Sequence, residues 1–127
     1  MLYNFSKQFE LAREVFSKML AVIPEFSEAE RMMAYSYLLE NNNETALIHA
    51  RKAAAMAQGI GWSQNTFVIA LAKAGHHEEA RKELAAWQAQ AGPLIISPLG
   101  IGIIYSHLGE LDKAFEYFNH AIEYRDC

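Results

Sequence analysis

The chain has 127 residues, enough for one domain and short for two; with 52% apolar and 20% charged residues it is a folding sequence rather than a disordered one. Its formal charge of −4, divided 0, −1, 0 and −3 over residues 1–26, 27–60, 61–94 and 95–127, leaves no basic stripe for phosphates and argues against nucleic-acid binding. No apolar run is long enough for a bilayer, the N-terminus reads as lacking a secretion signal, and the single cysteine, Cys127, has no internal partner for a disulfide.

Four alanines, Ala12, Ala46, Ala80 and Ala114, stand 34 residues apart and frame everything else. The same offset aligns Asn41, Gly75 and Gly109 at a turn. Ala34, Val68 and Gly102 align before that turn, and Tyr3, Tyr37, Leu71 and Tyr105 three residues further on. After each alanine come Phe16, Ala50, Leu84 and Phe118, then Met19, Ala53, Trp87 and Ala121. Several independent columns agreeing on one period predict a stack of helical hairpins.

In chain order, Ser6 is expected to cap a helix over Lys7–Val22 that Pro24 stops, with Met1–Phe5 as the tail of a missing partner helix. Ser27-Glu28-Ala29-Glu30 has the form of a capping box, opening a helix over Glu28–Leu39. Asn41-Asn42-Asn43 breaks it, because asparagine tolerates left-handed backbone and caps the next helix. That helix is predicted over Glu44–Ala57, ending before Gly59 and Gly61. Residues 61–94 repeat the plan with helices near Ser63–Ala74 and His77–Ala91, ended by Gly75 and by Gly92-Pro93. Ser97-Pro98 opens another in the favoured order of cap then proline, Gly109 closes it, and Leu111–Tyr124 is the last. That last helix carries Ala114, Phe115, Tyr117, Phe118, Ala121 and Ile122, an apolar face wider than one neighbour covers. Both ends therefore read as cut from a longer array or covered by something else.

This pattern resembles the tetratricopeptide repeat over essentially the whole chain. In residues 95–127, Ile101-Gly102, Tyr105, Ala114 and Phe118 follow the family order, and Pro24 holds the place of the proline that ends a unit. Gln64 and Pro98 replace the opening aromatic, Asn41 replaces a turn glycine, and Trp87 stands where the family usually has alanine. The resemblance implies an all-α fold, a right-handed superhelix (α-solenoid) of antiparallel helix pairs with about seven helices. One domain, residues 1–127, would comprise a half repeat (1–26) and three repeats (27–60, 61–94 and 95–127), as a fragment of a longer array. The stretch from Ser97-Pro98 to Tyr124-Arg125-Asp126 is further similar to the C-terminal repeat segments of multidomain bacterial regulators, which implies an output domain upstream in a parent protein.

The resemblance also implies a concave groove lined by the first helix of each unit. Carried onto this register, its positions are Glu28, Arg31, Tyr35, Leu38 and Leu39, then Trp62, Asn65, Ile69, Ala72 and Lys73, then Ile96, Leu99, Ile103, Ser106 and His107. The set expected to bind peptide is Arg31, Tyr35, Leu38, Trp62, Asn65, Ile69, Lys73, Leu99, Ile103 and His107. Large apolar side chains with few charges among them suit a helix or extended segment, with Arg31, Asn65 and Lys73 orienting it. Arg31, Tyr35, Thr66, Ile96 and Gly100 occupy the positions at which one branch of the family grips chaperone carboxylates; with Arg31 alone suitably charged, that ligand is disfavoured.

Signals for chemistry are weak. His76-His77-Glu78-Glu79 is dense in metal-ligating side chains, yet adjacent histidines do not share a helix face, and the acids suit a helix start. No serine sits in a glycine elbow, and Gly59-Ile60-Gly61 lacks a phosphate-binding pattern. No catalytic residue, cofactor or metal is expected. The leading reading is a protein-interaction scaffold with a protein or peptide partner, no nucleic acid and no membrane, in a cytoplasmic setting, or a periplasmic one if a membrane span lies upstream. The alternatives are a small-molecule or lipid sensor using the same groove, and a homodimer formed through the open repeat ends.

Overall fold

The computed structural model describes residues 5–58, 61–91 and 98–125. They form seven helices and, among the described residues, no strand: α1 (Phe5–Val22), α2 (Ser27–Leu39), α3 (Asn43–Met56), α4 (Gly61–Lys73), α5 (His77–Ala91), α6 (Pro98–His107) and α7 (Leu111–Arg125). Packing gathers the chain into two compact units, residues 1–70 and 71–127, with the boundary inside α4.

The repeat is written into the backbone of three turns. Asn41, Gly75 and Gly109 all take left-handed backbone, with φ of 61°, 88° and 79°. In each, the amide of the following residue donates back across the turn: Asn42 to Tyr37 at 2.9 Å, His76 to Leu71 at 2.9 Å and Glu110 to Tyr105 at 3.0 Å. A second bond runs from Asn41 to Leu38, Gly75 to Ala72 and Gly109 to Ser106. This paired pattern is the Schellman motif, which satisfies carbonyls that a helix end would otherwise orphan. The next helix then starts identically, the amides of Ala46, Ala80 and Ala114 donating to Asn42, His76 and Glu110. Glycine adopts this backbone at least cost, and asparagine is the usual substitute.

Helix starts depart more from expectation than helix ends. Ser27 lies inside α2, whose N-cap is Phe26 with no side-chain bond. The amides of Ala29 and Glu30 donate to the Phe26 carbonyl instead, and Glu30 is buried, 2.7 Å from His49 Nδ1. The predicted capping box does not form, because a residue on α3 claims its glutamate. Ser6 likewise falls within α1, and the N-cap of α3, Asn42, makes no side-chain cap bond. Gly61 opens α4 rather than ending a helix, and Gln58, with φ of 56°, supplies left-handed backbone after α3. The expected roles of residues 1–4, Gly59, Gly92-Pro93, Ile96, Ser97, Asp126 and Cys127 fall outside the described residues.

In the first unit the α2–α3 hairpin closes on small residues. Ala34, Ala46, Ala50 and Ala53 are fully buried, with Leu38, Leu47 and Met33 around them. Small side chains let the backbones approach closely, and the larger neighbours fill what remains. An arginine on α1 braces this hairpin. Arg13 lies 4.2 Å above the Tyr37 ring, pairs with Glu40 at 2.5 Å and donates to Ser36 Oγ at 3.4 Å. Tyr37 also stacks with His49, ring centres 5.6 Å apart.

The second unit buries Leu71, Ala80, Leu84, Trp87, Ile101, Ile104, Leu108 and Ala114. Each fully buried leucine or isoleucine contributes about 1.5–3 kcal/mol. Its α6–α7 hairpin closes differently: a Cβ on Gly102 would sit 2.5 Å from Cε1 of Phe118. Trp87, in the column where alanine is expected to permit close packing, is accommodated in the core. Its indole N–H has no partner among the described residues.

Candidate functional site

On a helix, residues four apart share a face. The equivalent lines Arg31–Tyr35–Leu39 on α2, Asn65–Ile69–Lys73 on α4 and Leu99–Ile103–His107 on α6 contain most of the expected peptide-binding residues. Tyr35, Leu39 and Leu99 are exposed, as is His107, while Asn65, Ile69, Lys73 and Ile103 are half-buried. Trp62, one turn before Asn65, is 65% exposed. None of these side chains lies at the centre of a core.

In the first unit, the α2 line is tied to its own helix. Arg31 donates to Glu28 at 2.8 and 3.3 Å, so its guanidinium is held over the exposed face. Met32 adds apolar area beside Tyr35. Leu38 belongs elsewhere. At 5% exposure it sits one turn after fully buried Ala34, on the face that packs inward, and Ala72, its counterpart on α4, is also buried. Leu38 is therefore part of the core and unavailable to a surface ligand. On the first-unit part of α4, Trp62 and Asn65 lie three residues apart. Among the described residues, Asn65 Oδ1 is buried and has no hydrogen-bond partner.

In the second unit, Ser106 Oγ donates to the Ile103 carbonyl at 2.7 Å and is occupied within its own helix. Partial desolvation, and then the charge of nearby Lys73, hold the His107 imidazole below the usual histidine range. Both effects favour the neutral form of the imidazole.

Sequence reasoning does not anticipate an open concavity between α1 and α2, lined by Glu10, Arg13, Glu14, Ser17, Lys18 and Tyr37. The Glu10/Glu14 pair carries the only signal for it and reads as an ordinary solvated face. Arg13 is already engaged there with Glu40 and Tyr37.

His76-His77-Glu78-Glu79 occupies the turn into α5, where Glu78 lies 3.7 Å from Arg81. Among the described residues no three metal-ligating side chains stand together, and no helix is long and apolar enough to cross a membrane.

The family model for the tetratricopeptide repeat matches residues 99–126, which hold nearly all of α6 and α7. No curated protein matches the chain. Tetratricopeptide repeats generally mediate protein–protein interaction and are typically non-enzymatic scaffolds. The last hairpin matches such a repeat, and its turn geometry is shared with the two turns before it.

Proposed function

We propose that the chain is a scaffold whose first helices bind a helical or extended protein segment, as one part of a larger regulator or adaptor. In the first unit the contacts are Arg31, Tyr35 and Leu39 on α2, with Trp62, Asn65 and Ile69 on α4. In the second they are Lys73, Leu99, Ile103 and His107. One observation carries the reading. Trp62 stands mostly in solvent, in a fold that buries its other tryptophan. Aromatic anchors dominate binding energy at interfaces.

The test is selection from a displayed peptide library against wild type and against a Trp62→Ala/Ile69→Ala variant. Wild type is expected to enrich sequences with apolar residues at regular spacing. The variant should lose them while melting within a few degrees of wild type, since neither side chain is core. A variant that selects the same peptides would remove this surface from the account.

A further inference from the structure

The helices that carry the second unit's expected contacts differ in charge from the rest of the chain. The chain has 15 acids against 11 lysines and arginines, yet α4 and α6 hold no acid along their whole length. Each has a single base, placed in its last turn: Lys73 on α4 and His107 on α6. The 34-residue period puts these two in one column, where the first repeat has Leu39. A base at this position is therefore not a requirement of the repeat.

The two bases lie close enough to act on one another. After desolvation, the Lys73 charge is what holds the His107 imidazole below the usual histidine range, and among the described residues no acid opposes it there. Glu110, the acid that follows His107 in the chain, is committed elsewhere, 3.3 Å from Arg81 and 3.6 Å from Lys113. On the same line of α6 as His107 lie Leu99, which is exposed, and Ile103, which is half-buried. Apolar surface thus leads along one side of α6 to a basic end.

That arrangement discriminates between partners. A basic residue brought to this end would meet like charge, and a wholly apolar one would strip water from an ammonium without replacing it. A carboxylate would meet the ammonium directly. Its charge would also favour the protonated imidazole, which then becomes a second donor to it.

We infer that the segment bound by the second unit carries an aspartate or glutamate beside its apolar residues, the carboxylate meeting Lys73 and His107 while the apolar residues lie on Leu99 and Ile103. The inference rests on the peptide-binding reading above and adds the chemistry of the partner.

The test selects displayed internal segments, which have no free C-terminus, and remakes the enriched sequences as amidated peptides for titration. Those peptides are expected to share an acid at a fixed spacing from an apolar residue. Replacing that acid by its amide should weaken binding about fivefold, as should Lys73→Gln. Lys73→Glu should reject the acidic peptide and accept one with lysine in its place; circular dichroism checks that the helices persist, and Lys73→Gln carries the test if they do not. By NMR, the acidic peptide should raise the His107 midpoint and its amide analogue should not. If no peptide is enriched, the peptide-binding reading fails and this inference with it. Peptides that bind but share no acid, that bind the Lys73 variants as tightly as wild type, or that leave the His107 midpoint unmoved would overturn this inference alone.

Discussion

The hairpins α2–α3 and α6–α7 have the same turn and the same period yet close their crossings in different ways. The columns that hold Ala34 and Ala50 in the first hairpin hold Gly102 and Phe118 in the second. Two medium-small residues are exchanged for the smallest residue and a large ring, and Phe118 fills the space where a Cβ would be. The ring stacks follow the same logic. Tyr37 with His49 and Tyr105 with Tyr117 are two periods apart in sequence, and both have centres 5.6 Å apart. A repeat therefore keeps the volume and geometry of a crossing while letting residue identity vary. It varies polarity too: His49 reaches a buried glutamate, and no acid stands at the corresponding place in α6, where the residue is Pro98.

The largest expected effect bears on the crossing. Gly102→Ala should cost roughly 1–3 kcal/mol, because the added methyl forces the Phe118 ring from its place. Adding Phe118→Ala recreates the alanine pair of the first hairpin, so the double variant should lose clearly less than the two single losses summed. Additive losses in a denaturant-melt cycle would mean that the two residues do not share the crossing.

Next come the braces. Arg13 and Arg81 are two periods apart and each reaches an acid at the far end of the following hairpin, Glu40 and Glu110. The first pair is the more sheltered, and Arg13 also covers Tyr37. Arg13→Ala should therefore cost about 1.5–3 kcal/mol, as for hydrogen bonds to charged groups. The more exposed Arg81 should lose less than about 1 kcal/mol. Equal losses would erase this distinction between the units.

The smallest effect is a titration. The His107 imidazole sits below its ordinary value of 6.5 because desolvation, and then Lys73, disfavour its charge. Its folded-state value is thus lower than its unfolded one. The stability it contributes is complete above about pH 6.5 and is lost as pH falls through the lower folded value. An NMR titration of the ring protons should give a midpoint below 6.5, and Lys73→Ala should raise it; a midpoint above 6.5 would contradict the local electrostatics.

Much of this architecture is legible from residues because it is local. Left-handed turns demand glycine or asparagine, and a 34-residue offset finds them without knowledge of packing. The helices α5 and α7 match their predicted bounds almost to the residue. The failures are non-local. Glu30 has the right spacing for a capping box, but His49, nineteen residues on, takes it into the interior. Analogy of position assigns Leu38 to the surface, whereas its one-turn spacing from Ala34 marks it as core. Trp62 and Tyr35 have residue types that a core would also accept, so only packing distinguishes surface from interior there. Asn65 gives no sequence sign that its oxygen lacks a partner among the described residues.

The central claim is that the first helices present side chains for a partner rather than for the fold. Indole emission reads this directly, since Trp87 is buried and Trp62 is not. Titrating a selected peptide into the protein should shift the exposed indole's emission to the blue, with saturation at one peptide per chain and no such shift in Trp62→Ala. An emission spectrum that ignores a bound peptide, or a Trp62→Ala protein that no longer folds, would contradict it.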